Sequence, residues 1–144
     1  MGGRQPGHGH AQLTPNPVRA AAGSRGSAGA PERHWAEALA ERHFVAKGFA
    51  VLERNYRLRG AEIDLVVKAP DATVVFVEVR QRSATAYGGP AASISPAKQR
   101  RVRQAARHYL ATVLGDANVA VRFDAVLVTG PRPTARLQHL EDAF

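Results

Sequence analysis

The sequence contains no cysteine. This absence excludes a disulfide-stabilised scaffold, a thiol nucleophile and a zinc site built on cysteine ligands. The sequence also lacks any run near the roughly 20 apolar residues that cross a bilayer, and its N-terminus has no continuous apolar stretch typical of a secretory signal. We therefore expect a soluble, cytoplasmic protein.

Acidic residues are scarce. The 144 residues include 20 Lys and Arg but only 12 Asp and Glu, which gives a formal net charge of +8. Between Val79 and Asp116 there is no acidic residue, while the same stretch holds seven basic ones. This excess indicates an anionic partner, with nucleic acid as the first candidate and an anionic membrane surface as the second.

The chain length suits one domain, and a hydrophobic content of 44% is enough for its core. Residues 1–31 carry three arginines and no acid, are rich in Gly, Ala and Pro, and show no apolar periodicity. We interpret residues 1–31 as a disordered basic tail and residues 32–144 as a single folded domain.

Helix and strand signals follow one another in the order α-β-β-β-α-β. A first helix begins at Pro31 and ends before Gly48, and a second covers residues 96–114. Strand patterns cover residues 49–56, 62–68, 73–80 and 119–128, with a short edge element within 137–144. This order predicts an α/β or α+β domain in which helices flank a mixed β-sheet.

Acidic residues interrupt two neighbouring apolar strands. The alternation of side chains along a strand predicts that Ile63, Leu65 and Val67 share one face and that Asp64 lies on the other. On the next strand, the same alternation separates Glu78 from its valine neighbours. The two acidic side chains are therefore expected on the same face of a hairpin.

A turn centred on Asp71 would place Asp64 opposite Glu78 and Glu62 opposite Arg80. Opposed Cβ atoms lie about 4.5–5.5 Å apart, so two carboxylates there repel each other. A cation is then required, and Arg80 and a divalent metal such as Mg²⁺ are the two candidates. The alternative is that these acids are solvated positions on an exposed face of the sheet.

The second predicted helix is basic and amphipathic. Its apolar stripe includes Val102, Ala106 and Tyr109 and is expected to pack on the domain core, which argues against a membrane partner. Because no acid balances its cations, we predict a surface that binds the phosphate backbone, although a solvated charged face is the alternative. Its predicted members are Arg82, Lys98, Arg100, Arg101, Arg103 and Arg107, with Arg100, Arg103 and Arg107 facing away from the stripe.

Several motifs together resemble the UPF0102 family, also called the YraN family. The central ones are Gly60-Ala61-Glu62-Ile63-Asp64-Leu65-Val66 and Phe76-Val77-Glu78-Val79-Arg80-Gln81-Arg82. Others are Asn55-Tyr56-Arg57, Ser95-Pro96-Ala97-Lys98, Arg122-Phe123-Asp124 and the terminal Glu141-Asp142-Ala143-Phe144. The resemblance covers about residues 32 to 144 and leaves out the tail.

The resemblance implies a restriction-endonuclease-like fold of the PD-(D/E)XK superfamily, similar to archaeal Holliday-junction resolvases. It implies that Asp64 and Glu78 are ligands of Mg²⁺, with Mn²⁺ as an alternative, and that Glu37 is the acid of the first helix. Arg80 occupies the position of the motif lysine. Because arginine stays protonated, Arg80 could bind a phosphate or stabilise developing charge, but it could not act as a general base.

Three functions are compatible with these residues. The first is a metal-dependent endonuclease that acts on DNA, with branched DNA among its candidate substrates. The second is a nucleic-acid-binding module with little or no catalysis on a nuclease fold, which the arginine at position 80 favours. The third is an interaction partner within a DNA-processing complex. Resolvases of similar fold act on symmetric junctions as dimers, so a homodimer is one expected assembly.

Two further features have open interpretations. In Arg122-Phe123-Asp124, the two charged residues are either an ion pair at the surface of the sheet or a support beside the acidic site. The histidines at positions 43, 108 and 139 show no metal-ligand spacing.

Overall fold

The computed structural model describes residues 31–82 and 94–144, with side chains from Trp35 onward. The predicted tail therefore lies, apart from Pro31, outside the described residues. The elements are α1 (Pro31–Ala46), β1 (Ala50–Leu58), β2 (Ala61–Lys68), β3 (Val74–Arg82), α2 (Pro96–Tyr109), β4 (Val121–Thr129) and β5 (Arg136–Leu140).

The five strands form one mixed sheet in the order β1-β2-β3-β4-β5. Strand β3 runs parallel to β4, while the other neighbouring pairs are antiparallel. The parallel pair requires a crossover, and α2 lies within it. The predicted α/β class, the order of elements and the mixed sheet with flanking helices are confirmed, and the C-terminal edge element is β5.

Each face of the sheet carries its own core. The α1 core joins residues of α1 to one face: Ala36, Ala40, Phe44, Leu65, Val67, Val75, Val77, Val126 and Val128. The α2 core joins residues of α2 and the following turn to the other face: Ile63, Val66, Val74, Phe76, Val102, Ala105, Ala106, Tyr109 and Leu110. Because both faces are covered, the central strands are almost continuously apolar.

Helix α2 has well-defined ends. Its N-cap is Ser95, whose Oγ accepts a hydrogen bond from the backbone N–H of Lys98 at 3.2 Å, and Pro96 follows at the first helical position. Its C-terminal end widens into a π-helical turn over Leu110–Leu114. Gly115 then ends the helix with a left-handed backbone at φ +70°, a conformation that glycine adopts without strain.

Among the described residues, no helix combines the length and the apolar character needed to cross a bilayer.

Candidate functional site

The β2–β3 hairpin has the predicted register. Leu65 lies opposite Val77, and Val66 lies opposite Phe76. In the turn, the side chain of Asp71 accepts a hydrogen bond from the backbone N–H of Thr73 at 3.0 Å. The regular pairing ends at Leu65 and Val77, so Asp64 and Glu78 lie just beyond it.

Asp64 interrupts the alternation of side chains along β2. Ile63 packs in the α2 core, whereas Leu65 packs in the α1 core. The prediction that Ile63 and Leu65 share a face is therefore wrong. On β1, Asn55 lies between the two residues that pair with Ile63 and Leu65. Its backbone is left-handed, at φ 49°. Both strands thus change face at the level of Asp64.

This interruption directs the carboxylate of Asp64 towards the neighbouring backbone. Its Oδ2 atom accepts a hydrogen bond from the N–H of Val79 at 2.8 Å. The side chain therefore takes a backbone donor of β3 beyond the point where β2 and β3 stop pairing. Since Asp64 is only 3% exposed, the contact fixes a buried carboxylate at the open end of the hairpin.

Glu78 is equally buried, at 3% exposure, and is neutralised by two cations. The Nζ atom of Lys98 donates a hydrogen bond to its Oε1 atom, and the Nε atom of Arg80 lies 3.9 Å from the same oxygen. The interpretation of Asp64 and Glu78 as solvated surface positions is therefore wrong. The cation nearest to Glu78 is a lysine of α2, which the sequence analysis had assigned to the phosphate-binding surface.

Glu62, the acidic residue of the hairpin furthest from its turn, does not have the predicted partner. Glu62 was predicted to lie opposite Arg80, but its ion pair is with Arg57 on β1, where Oε1 and Nε are 3.7 Å apart. Arg57 also borders the cavity that contains Asp64. Sequence reasoning did not assign this arginine to the site, although it belongs to the Asn55-Tyr56-Arg57 motif.

The two central carboxylates interact electrostatically. Burial, followed by the charge of Glu78, raises the pKa of Asp64 to about 8; the Val79 N–H lowers it, and Glu37 and Glu62 raise it further. A second full negative charge beside Glu78 is thus unfavourable even with Lys98 and Arg80 in contact with that carboxylate.

Two cavities meet at Glu78 and Lys98, which border both of them. Their volumes are ≈ 580 and ≈ 490 Å³, within the range of about 300–1,000 Å³ that is usual for ligand sites. The first is also lined by Asp64, Glu62, Arg57 and Arg101, and the second by Glu37, Arg80, Gln81 and Arg82. All four predicted catalytic residues, Glu37, Asp64, Glu78 and Arg80, therefore lie around one groove.

The basic residues of α2 do not form one continuous surface. Arg101 lines the first cavity, whereas Arg100, Arg103 and Arg107 line neither cavity. All four are exposed. The guanidinium of Arg103 lies 4.9 Å from the centre of the Phe123 ring, on the β4 side of the helix. The structure thus brings Arg82, Lys98 and Arg101 to the two cavities that the carboxylates border and leaves the other three apart.

The carboxylate pair fits a small oxygen-binding cation. No group of three His, Cys, Asp or Glu side chains within the described part of the chain forms a complete metal cage. The Val79 N–H bonds Oδ2 of Asp64, and Lys98 and Arg80 both contact Oε1 of Glu78, so these partners engage one oxygen of each carboxylate. Mg²⁺ commonly takes one or two carboxylates and completes its shell with water and phosphate, and Mn²⁺ accepts similar ligands.

Asp124 forms a separate buried cluster. It is 0% exposed and accepts two hydrogen bonds from Arg122, both at 2.8 Å, and one from the backbone N–H of Asp142 at 3.0 Å. His139 Nε2 lies 2.7 Å from its Oδ2, and the Nδ1 atom of His139 is 3.0 Å from Nε2 of His43. The interpretation of this pair as a surface contact is wrong, because the cluster joins α1, β4 and β5 inside the fold.

Fold and site together define an α/β protein with a buried, cation-paired acidic centre on its central hairpin. The chain belongs to the uncharacterised protein family UPF0102, whose profile matches residues 36–128. The matched range contains Glu37, both central carboxylates and Lys98.

Individual relatives support this membership. A UPF0102 protein of Cupriavidus taiwanensis is 56% identical over 109 residues, which cover 75% of this chain and 80% of that protein. A UPF0102 protein of Ralstonia pickettii is 43% identical over 133 residues, which cover 90% of this chain and 94% of that protein. A UPF0102 protein of Nitrosomonas europaea is 51% identical over 94 residues, which cover 65% of this chain and 76% of that protein. The resemblance to this family is therefore confirmed.

Proposed function

We propose that this protein binds DNA and hydrolyses internal phosphodiesters with a divalent cation, Mg²⁺ or Mn²⁺, held by Asp64 and Glu78. The observation that carries the proposal is the position of two carboxylates, each 3% exposed, in a cavity lined by cationic side chains, with Glu78 also bordering a second such cavity. Buried acids bordered by arginines suit a ligand that combines a metal cation with a phosphate anion.

The cations around the groove supply the phosphate contacts. Arg57 and Arg101 border the first cavity, and Arg80 and Arg82 border the second. The side chain of Arg80 is 26% exposed and borders the second cavity, so a phosphate oxygen could reach its guanidinium there. A strand that crosses the groove would meet arginine on both sides of the carboxylates.

The division of roles follows from the chemistry of the side chains. A bound divalent cation would supply an activated water and neutralise phosphate charge. Asp64 and Glu78 would hold it, with Glu37 adding negative charge from α1. Arg80 is always protonated, so it binds and stabilises the phosphate instead of removing a proton.

The decisive test compares wild type with Asp64→Asn on labelled duplex, single-stranded and four-way-junction DNA in Mg²⁺ or Mn²⁺. We expect Asp64→Asn to reduce cleavage by about 100-fold or more, the loss typical of removing one group that stabilises a transition state. Asp71→Asn, in the exposed turn of the same hairpin, is the matched control and should cleave like wild type. Equal cleavage by the Asp64 variant would refute the proposal.

A second candidate function is DNA binding without hydrolysis. The observation that favours it is the double neutralisation of Glu78 by Lys98 and Arg80, which satisfies one carboxylate without a metal. This candidate predicts that wild type and Asp64→Asn bind DNA equally and that neither cleaves it. If Arg80→Lys then gains cleavage, arginine at this position is what limits the reaction.

A further inference from the structure

Lys98 occupies an unusual place at the junction of the two cavities. It contacts the carboxylate of Glu78 and borders both cavities. Glu78 is 3% exposed, whereas the Lys98 side chain is 34% exposed. The carboxylate is therefore fixed in the interior, while the lysine reaches it from the solvent side.

The backbone of Lys98 is anchored although its side chain is long. Its N–H donates to Oγ of Ser95 in the cap of α2. Four methylene groups then separate this fixed point from the ammonium, which can change partner by rotating about side-chain bonds alone.

Lysine is rare in this chain, since only three of its 20 basic residues are lysines. The position nearest to Glu78 holds one of the three, while Arg80 and Arg82 are arginines. A compact ammonium can exchange between two oxygen partners, whereas the planar guanidinium of Arg80 is suited to a fixed geometry.

We propose that Lys98 is a catalytic residue of the phosphodiester hydrolysis, whose ammonium leaves Glu78 when that carboxylate takes a divalent cation and then binds the phosphate being cleaved. This inference rests on the proposed function. In the reaction, a water oxygen forms a bond to phosphorus, the bond from phosphorus to one sugar oxygen breaks, and a proton from the water ends on that oxygen. Lys98 keeps its protons and donates hydrogen bonds to a phosphate oxygen.

The exchange has an electrostatic basis. Glu78 needs one positive partner in its buried position, and a divalent cation would meet that need. Lys98 is then free to neutralise the phosphate, which gains negative charge in the transition state. Lys98 thus supplies a mobile positive charge that Arg80, 3.9 Å from the same carboxylate oxygen, does not replace.

The test measures DNA cleavage and metal binding for two variants, Lys98→Gln and Lys98→Arg. The control is Lys68→Gln, which alters an exposed lysine on β2. At saturating DNA we expect Lys98→Gln to cleave about 100-fold more slowly. Its Mn²⁺ affinity, measured by calorimetry without DNA, should equal or exceed that of wild type, because a competitor for Glu78 is gone. Lys98→Arg should recover part of the rate, and the control should leave both quantities unchanged.

Two results would overturn the proposal. Cleavage by Lys98→Gln within threefold of wild type would show that Lys98 is not needed. A loss of Mn²⁺ affinity together with a lower melting temperature would show that Lys98 only supports the structure around Glu78.

A spectroscopic arm separates this inference from the proposed function. Because the chain has three lysines, protein labelled with ¹⁵N at the lysine side chains gives few ammonium signals, which Lys47→Gln and Lys68→Gln assign. The Lys98 signal should move when Mg²⁺ is added, and again with a short DNA duplex. If wild type cleaves nothing but the signal moves, the proposed function and the catalytic role of Lys98 fail together, and only its exchange between Glu78 and another partner stands. If it cleaves but the signal does not move, the inference about Lys98 fails alone.

Discussion

Three acidic side chains are buried within the described residues, and their surroundings differ in kind. Asp124 is surrounded by donors of the protein itself, namely Arg122, His139 and a backbone N–H. Asp64 and Glu78 face cavities instead. A carboxylate whose partners are all internal stabilises the fold, whereas one that borders a cavity is available for a ligand.

Substitution of Asp124 should therefore affect stability and its pH dependence. Burial alone would raise the pKa of Asp124, but the hydrogen bonds from Arg122, His139 and the Asp142 N–H hold it below its usual value of 3.8. The contribution of the Asp124 carboxylate to the free energy of unfolding is complete above pH 3.8. It is lost as the pH falls through the lower pKa of the native state. Asp124→Asn should lower the free energy of unfolding by about 2–4 kcal/mol at pH 7.

Urea denaturation at pH 7 and pH 3 measures this effect. The difference between wild type and Asp124→Asn should shrink at pH 3. Asp116→Asn, in an exposed loop, is the control and should match wild type at both pH values. A difference that grows towards low pH would contradict the assignment.

The sequence predicted some residue positions better than others. The pairing of β2 with β3 from the turn to Leu65 and Val77 was predictable, because a short turn and a period of two determine the register there. The partner of Glu78 was not, because Lys98 lies 20 residues away and reaches it only through the packing of α2. His139 was unpredictable for the same reason, since its contact with Asp124 depends on β5 lying beside β4.

At the scale of elements, α2 has two separate basic regions. Lys98 and Arg101 face the groove, while Arg100 and Arg107 lie on other sides of the helix. Periodicity correctly identified the apolar stripe but not its orientation on the sheet. That orientation decides which of the flanking arginines reaches the carboxylates.

The element-scale prediction concerns the salt dependence of DNA binding. Neutralising Arg100, Arg101 and Arg107 to Gln should reduce the slope of log K against log salt by up to about 3, near one for each lost phosphate contact. Arg103 is left in place because its guanidinium packs on Phe123. Titrations of a labelled duplex over a salt series measure the slope, and an unchanged slope would contradict a phosphate-binding role.

At the scale of the whole molecule, one sheet separates two cores. The order of elements and the mixed sheet were predictable because each segment carries its own period and end signals. The change of face at Asp64 was not, since regular alternation assigns Ile63 and Leu65 to the same side. The left-handed backbone of Asn55 marks this change, and asparagine is one of the residues that tolerate this conformation.

The parallel pairing of β3 with β4 has a consequence for folding. Strands β1, β2 and β3 are joined by short turns, whereas β3 and β4 meet only after the chain has passed through α2. Local contacts form faster than those that close a long loop. The two acids should therefore approach each other before Lys98 arrives to neutralise them.

Repulsion between unpaired acids would then slow the early steps. Glu78→Gln should refold faster than wild type, although its native state is less stable because Lys98 loses its charged partner. Stopped-flow refolding and unfolding in urea would measure both rates, and slower refolding of Glu78→Gln would contradict this order. If Glu78→Gln refolds faster, the acidic centre slows the folding of the wild-type chain until α2 and the β3–β4 crossover have brought Lys98 to Glu78.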